Sequence, residues 1–161
     1  MKLVLTLIAA SVLSTMIMDI SSGLLRAAGI IAGAPAGVVG KWLESAIKGK
    51  IFLNDIRTSV GEPITLQKFL LYHYIIGTIL TLVLYTVIIV LKIVPVPWWV
   101  PFSFGFATTL IPAFLMFPAM GFGVLGLKGP SEYLLLRTAI LSHLAFGLGL
   151  TMAFRWIIKI N

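Results

Sequence analysis

The stretch FLLYHYIIGTILTLVLYTVIIVLKIV, residues 69–94, decides the fold class of this chain. Its side chains are almost all apolar, and Lys92 near its end is its first charged residue. A bilayer core about 30 Å thick needs about 20 apolar residues of helix, at a rise of about 1.5 Å per residue. The stretch therefore predicts a helix that crosses a membrane.

Three further stretches share this length and character, and they cover residues 3–25, 102–124 and 133–158. Hydrophobic residues make up 60% of the chain and charged residues 11%, whereas a soluble domain carries about 25% charged residues. We therefore predict an all-α polytopic membrane protein. Its four transmembrane helices form a bundle that is one domain over residues 1–161, with a loop of residues 26–68 after the first helix.

The first apolar stretch begins after Lys2 like a secretory signal peptide. It stays apolar through Ile20, which is longer than the apolar core of a signal peptide, so we expect it to be the first membrane helix. The chain has no cysteine, which excludes disulfides, thiol catalysis and cysteine-based metal sites.

The basic residues indicate the orientation of the chain. The formal net charge is +7, and most lysines and arginines lie in the first loop or beside the third, so those loops are expected on the cytoplasmic side. This predicts a multi-pass membrane protein whose termini both lie outside, in the periplasm if the source is a Gram-negative bacterium. The basic residues are scattered, without interleaved stacking aromatics, so the expected partner is the lipid bilayer and not nucleic acid.

Tryptophans are expected at both membrane surfaces. In the first loop, residues 41–48 place Trp42 on the apolar face of a short helix, which is typical of an interfacial helix. A gate or a docking surface is the alternative for that helix. Trp98 and Trp99 lie in a proline-rich turn between the second and third spans, where we expect them to anchor the chain at the lipid headgroups.

Ionisable residues inside the spans are the strongest functional signal. A charge at the centre of a membrane helix costs at least about 2.5–3.5 kcal/mol, so it usually has a partner or a purpose. Asp19 and His73 both lie roughly 6–9 Å from the same membrane face. We predict that they meet, with Tyr74 beside them, as in a proton relay or around a metal. Alternatively, Asp19 pairs with Arg26 and His73 reaches the interface.

His143 is expected deeper, roughly 15 Å into the last span. It is either a neutral side chain bonded to a neighbouring helix or a second station for protons. A depth offset of roughly 6–9 Å from His73 makes a shared metal site strained. There is also no HExxH motif and no acidic cluster, so we predict no metal and no other cofactor.

The third span ends in a broken helix around Pro118, Met120 and Gly121. Carbonyls freed by a proline must be satisfied by protein or line a cavity. The break is either a feature of a transporter or simple termination of the helix. Small residues indicate where helices approach closely, and the glycines expected at such crossings are Gly77, Gly105, Gly147 and Gly149.

Several motifs together resemble a family of small bacterial inner-membrane proteins of unknown function. They are Met18-Asp19, His73-Tyr74-Ile-Ile-Gly77, Pro118-Ala119-Met120-Gly121 and His143-Leu-Ala-Phe146-Gly147. The second half is also similar to YagU-like inner-membrane proteins, which are associated with acid resistance. The resemblance implies four spans and no established activity.

The expected function is a proton- or small-solute-handling module, for transport or binding, that works as a homodimer or with a membrane partner subunit. Two alternatives stay open. One is a non-catalytic accessory protein that stabilises a partner complex, with its polar residues only locking the bundle. The other is an intramembrane enzyme that uses Asp19 and a histidine as acid and base; the sequence offers it no nucleophile, so a non-enzymatic role is favoured.

Overall fold

The computed structural model describes residues 2–31, 36–58, 65–129 and 133–158. Four helices in these residues are long and apolar enough to cross a membrane. They are α1 (Lys2–Ala27), α3 (Leu66–Val90), α4 (Trp99–Ala119) and α5 (Leu134–Ile158), and α2 (Ala36–Ile47) lies in the first loop. The described residues hold no β-strand, so the prediction of an all-α, four-span protein is confirmed.

The helix ends differ from the predicted ends by a few residues, for local reasons. Helix α3 begins at Leu66 because the Thr65 hydroxyl caps it, accepting from the backbone N–H of Lys68 at 3.3 Å. Helix α4 begins at Trp99, three residues before the predicted start. Pro101 is compatible with its first turn, where the missing N–H of proline would have no helical partner. It ends at Ala119, shortly before Gly121, whose φ of +85° is a conformation that stops helices.

The membrane helices pack in the order α3, α1, α5, α4. Helix α1 contacts α3 on one side and α5 on the other, and α4 packs against α5. Each contacting pair is antiparallel, because the residue numbers at successive crossings run in opposite directions. For example, Ser11 contacts Thr78 and Asp19 contacts His73 between α1 and α3.

Glycines lie where these helices cross, as predicted. A Cβ atom on Gly149 would lie 2.7 Å from the Cα of Ser14 in α1, well inside van der Waals contact. A side chain at the other three positions would also collide with the neighbouring helix, and these positions are Gly77, Gly105 and Gly147. Small residues thus allow the backbones to approach closely in a medium where hydrophobic burial does not drive helix association.

Two apolar clusters hold the ends of the bundle. The cluster at the end near the 91–98 turn joins α3 to α5 through Leu84, Ile88, Phe146, Leu150 and Phe154. The cluster at the opposite end consists of Ile56, Phe117, Met120, Phe122, Leu135 and Ala139. Because Ile56 belongs to the first loop and is 2% exposed, that loop folds back onto the bundle.

Residues 51–58, here named the strap, cover the broken end of α4. The backbone N–H of Leu53 donates to the carbonyl of Ala119 at 2.7 Å, and that of Ile56 donates to the carbonyl of Met120 at 2.9 Å. The strap therefore satisfies carbonyls that the end of the helix leaves free, one of the two arrangements that lipid permits. Gly121 lies against the carbonyl of Asn54, where a side chain would collide with the strap.

Two contacts in the second half of helix α2 tie it to the rest of the protein. The Nε1–H of Trp42 donates to the carbonyl of Ile51 at 2.8 Å, and the half-buried indole packs on the apolar cluster at the strap end. Near α3, Lys68 Nζ lies 3.2 Å from Glu44 Oε1. The predicted helix of the first loop is therefore present, and it is longer than the 41–48 expected. The positions of Trp42, Trp98 and Trp99 at a membrane surface stay predictions.

Candidate functional site

Asp19 and His73 meet between α1 and α3. The Nδ1 of His73 lies 3.1 Å from the Oδ1 of Asp19. The two side chains project from antiparallel helices at the same level, so the contact follows from their equal distance to the helix ends. The predicted proximity is confirmed, and Asp19 pairs with His73 instead of with Arg26.

The contact leaves hydrogen-bonding capacity unused. The Oδ2 of Asp19 and the Nδ1 of His73 are buried atoms without a hydrogen-bond partner in the described part of the chain. The ring N–H is thus not aligned with Oδ1, although the heavy atoms are at hydrogen-bond distance. The side chains are 29% and 22% exposed respectively. A buried polar atom without a partner is costly in lipid, and binding a proton or a hydrogen-bonding group at the pair would remove that cost.

Aromatic rings surround His73 along α3. The rings of His73 and Tyr74 stand edge-on, with centroids 6.4 Å apart. The ring of Phe69, one turn earlier, is 5.5 Å from that of His73. Tyr74 also interacts electrostatically with Asp19. The predicted site residues Asp19, His73 and Tyr74 therefore form one group in space.

His143 is bonded to a neighbouring helix. Its Nδ1 lies 2.7 Å from the Oγ1 of Thr108 in α4, and that hydroxyl donates to the carbonyl of Gly105 at 2.5 Å. Because the hydroxyl proton goes to the carbonyl, we infer that Nδ1–H of His143 donates to Oγ1. This bond fixes the tautomer of the ring and joins α4 to α5.

The predicted depth offset between His143 and the Asp19–His73 pair was wrong. Ser142, the preceding residue, shares a 2.8 Å hydrogen bond with Ser22, which follows Asp19 by three residues in the antiparallel helix. His143 is therefore about 3 Å from the level of Asp19, at 1.5 Å per residue. The offset was overestimated because α1 and α3 extend further at this end than predicted: α1 ends at Ala27 and not at residue 25, and α3 begins at Leu66 and not at residue 69. His143 also interacts electrostatically with His73.

Asp19, His73 and His143 belong neither to a metal-binding cluster nor to the cleft beside the strap. No group of three or more metal-binding side chains occurs within the described ranges. A cleft of about 620 Å³ lies at the strap end, where it is lined by residues such as Asn54, Pro118 and Lys128. Asp19, His73 and His143 are not among its lining residues, so they converge on one another and not on this cleft.

The sequence reasoning missed the hydroxyl groups around the site. Thr108 binds His143, and Ser22 with Ser142 joins α1 to α5 beside Asp19. One signal could have found part of this set. In α1, residues 11, 15, 19 and 22 are all polar and recur every three or four positions, which places them on one helical face.

The chain belongs to a protein family of unknown function, described as "Protein of unknown function (DUF2938)", whose family model matches residues 8–157. The match includes Asp19, His73 and His143. No curated protein and no solved structure matches the chain. The function therefore has to be argued from the site.

Proposed function

We propose that this multi-pass membrane protein handles protons, and that Asp19 and His73 bind and release them. The observation that carries the proposal is the 3.1 Å approach of two titratable groups inside an apolar bundle, with hydrogen-bonding atoms left unpaired. The broader form of the proposal is a small hydrogen-bonding solute at the same position, for transport or binding.

The distance between the two side chains suits direct proton transfer once the ring of His73 turns to align Nδ1 with Oδ1 of Asp19. When Asp19 carries the proton, transfer to Nδ1 of His73 breaks one O–H bond and forms one N–H bond. The heavy-atom separation is within the range for such a step, about 2.6–3.2 Å. The transfer turns two neutral groups into an adjacent ion pair, so the net charge of the site does not change and each charge has its partner beside it. The described titratable groups near the pair are Tyr74 on α3 and His143 on α5.

The accessory alternative fits His143 better than it fits Asp19. A polar side chain that only locks a bundle has its hydrogen bonds made, as His143 does with Thr108. Asp19 and His73 keep unpaired atoms at the contact and remain partly exposed, which are properties of a site that exchanges a proton. We therefore assign locking to His143 and exchange to the Asp19–His73 pair.

We further propose the bacterial inner membrane as the location, with both termini periplasmic, and a homodimer or a membrane partner subunit as the working state. Basic residues of the first loop support the orientation, because the strap brings that loop and the end of α4 to the same end of the bundle. We include a role under acid stress in this proposal, and that part rests only on the resemblance of sequence motifs in the second half to YagU-like proteins.

Proton flux into liposomes tests the proposal. Purified protein is reconstituted with an internal pH dye, and flux is driven by a potassium diffusion potential. We expect Asp19→Asn and His73→Ala to lower flux by about tenfold or more, since acid–base groups typically contribute factors of 10²–10⁴. Asp55→Asn is the matched control, because it makes the same change in the strap. If both site variants keep wild-type flux between about pH 5 and 8, the proposal is wrong and the accessory role replaces it.

A further inference from the structure

The polar face of α1 continues from Asp19 toward the other membrane surface. Thr15 lies one turn from Asp19, and Ser11 lies one turn further. Ser11 is 0% exposed and Thr15 is 1% exposed, and both face α3. A line of hydroxyl groups thus runs along the α1–α3 contact, where apolar side chains would pack without any hydrogen-bonding requirement.

Thr15 differs from the other buried hydroxyls of these helices. Ser14 donates to the carbonyl of Ala10 at 2.8 Å, and Thr81 donates to the carbonyl of Gly77 at 2.9 Å. This bond to the preceding turn is the usual solution for a hydroxyl in a membrane helix. The Oγ1 of Thr15 has no partner within the described residues, and it points at Gly77 of α3.

The spacing along the line suits water-bridged proton transfer. One helical turn separates Asp19 from Thr15 and Thr15 from Ser11, about 6 Å along the axis in each case. Two hydrogen bonds of about 2.8 Å through one water would cover that distance. Because Oγ1 of Thr15 is packed against Gly77, such a water enters only when α1 and α3 move apart. Beyond Thr15, the hydroxyls of Ser11 and Thr78 lie 2.8 Å apart and continue the line.

We propose that Thr15 is the proton-carrying group next to Asp19, and that the line through Ser11 and Thr78 is the path to the opposite surface. This inference rests on the proposed function. In each step a protonated water gives its extra proton to Oγ1 of Thr15 and becomes neutral, while the original hydroxyl proton passes to the next water, which becomes protonated. One O–H bond forms and one breaks, so the threonine keeps no charge.

The same liposome assay tests the path with Thr15→Val, Thr15→Ala and Thr15→Ser. We expect the valine and alanine variants to lose at least about tenfold in flux, as Asp19→Asn does, while serine retains most of it because it keeps the hydroxyl. Thr151→Val is the matched control, since that hydroxyl bonds Gly147 in α5, away from the line. The elution volume in size-exclusion chromatography and the thermal stability in detergent show whether each variant folds. If Thr15→Val does not fold, the comparison of Thr15→Ala with Thr15→Ser tests the path.

The outcomes separate the path from the function. If Asp19→Asn lowers flux and the valine and alanine variants do not, the path is wrong and the proton site stands. If serine loses flux as well, the packing of the side chain matters and not its hydroxyl, which also overturns the path. If Asp19→Asn keeps wild-type flux, the proposed function fails, and the path fails with it.

Discussion

Replacing Gly149 with alanine tests how the bundle is held together. The new Cβ would lie 2.7 Å from the Cα, 3.0 Å from the carbonyl oxygen and 3.2 Å from the Cβ of Ser14. Carbon atoms pack at about 3.5–4.0 Å, so α1 and α5 have to separate by about 1 Å. Two of the three atoms are backbone, and no side-chain rotation can relieve the collision.

The expected cost is about 1–3 kcal/mol of unfolding free energy, the usual range for overpacking a close contact. The matched control is Gly23→Ala in α1, because a Cβ there meets nothing within 4 Å. That variant removes a glycine from a helix in the same way, so it should be neutral or stabilise by up to about 1 kcal/mol. The same chemical change, glycine to alanine, is therefore expected to lower the unfolding free energy at position 149 and to leave it unchanged or raise it at position 23.

Equilibrium unfolding in mixed micelles, followed by tryptophan fluorescence, measures both variants. Spreading α1 from α5 should also weaken the 2.8 Å Ser22–Ser142 hydrogen bond beside Asp19. The reasoning is refuted if Gly149→Ala unfolds at the wild-type detergent ratio, or if Gly23→Ala destabilises as much. Either result would mean that the α1–α5 crossing is not set by backbone contact.

Three further predictions concern the strap end. Gly121→Ala should cost about 1–2 kcal/mol for its positive φ alone and more for its collision with Asn54, and it should expose residues 51–58 to proteolysis; an unchanged digestion pattern contradicts this. Hydrogen bonds from Arg57 hold the pKa of Asp55 below its ordinary value of 3.8, so their contribution is present above that pH and lost as pH falls through the lower folded pKa. The protection of the strap amides against hydrogen exchange, taken relative to the intrinsic rate at each pH, should thus be constant from neutral pH to about pH 4 and fall below it. Asp55→Asn should remove this acid dependence. A cysteine introduced by Lys48→Cys, at the exposed end of α2, should not be labelled by an impermeant thiol reagent applied to intact cells. Labelling from outside would show that the orientation is the opposite of the one proposed.

Local chemistry made much of the site predictable. Asp19 and His73 were expected to meet because they lie at equal distances from the same membrane face. Helix α1 ends at that face and α3 begins there, so the two antiparallel helices bring these residues to one level. Small side chains marked the helix crossings for the same reason of local geometry. The offset of His143 from this pair was predicted wrongly because it was counted from apolar span ends, whereas α1 and α3 continue two and three residues beyond those ends.

The sequence by itself determined the solvent, the number of spans and the positions of the close crossings. These follow from apolar length and side-chain size, which are properties of single segments. Only the tertiary structure decided that residues 51–58 return to cap the end of α4, that Thr108 holds His143, and that Thr15 has an unpaired hydroxyl against Gly77. Each of these depends on which faces of two distant segments meet. Apolar helices in lipid have many faces of nearly equal hydrophobicity, so that choice rests on packing and a few polar contacts instead of on the sequence pattern.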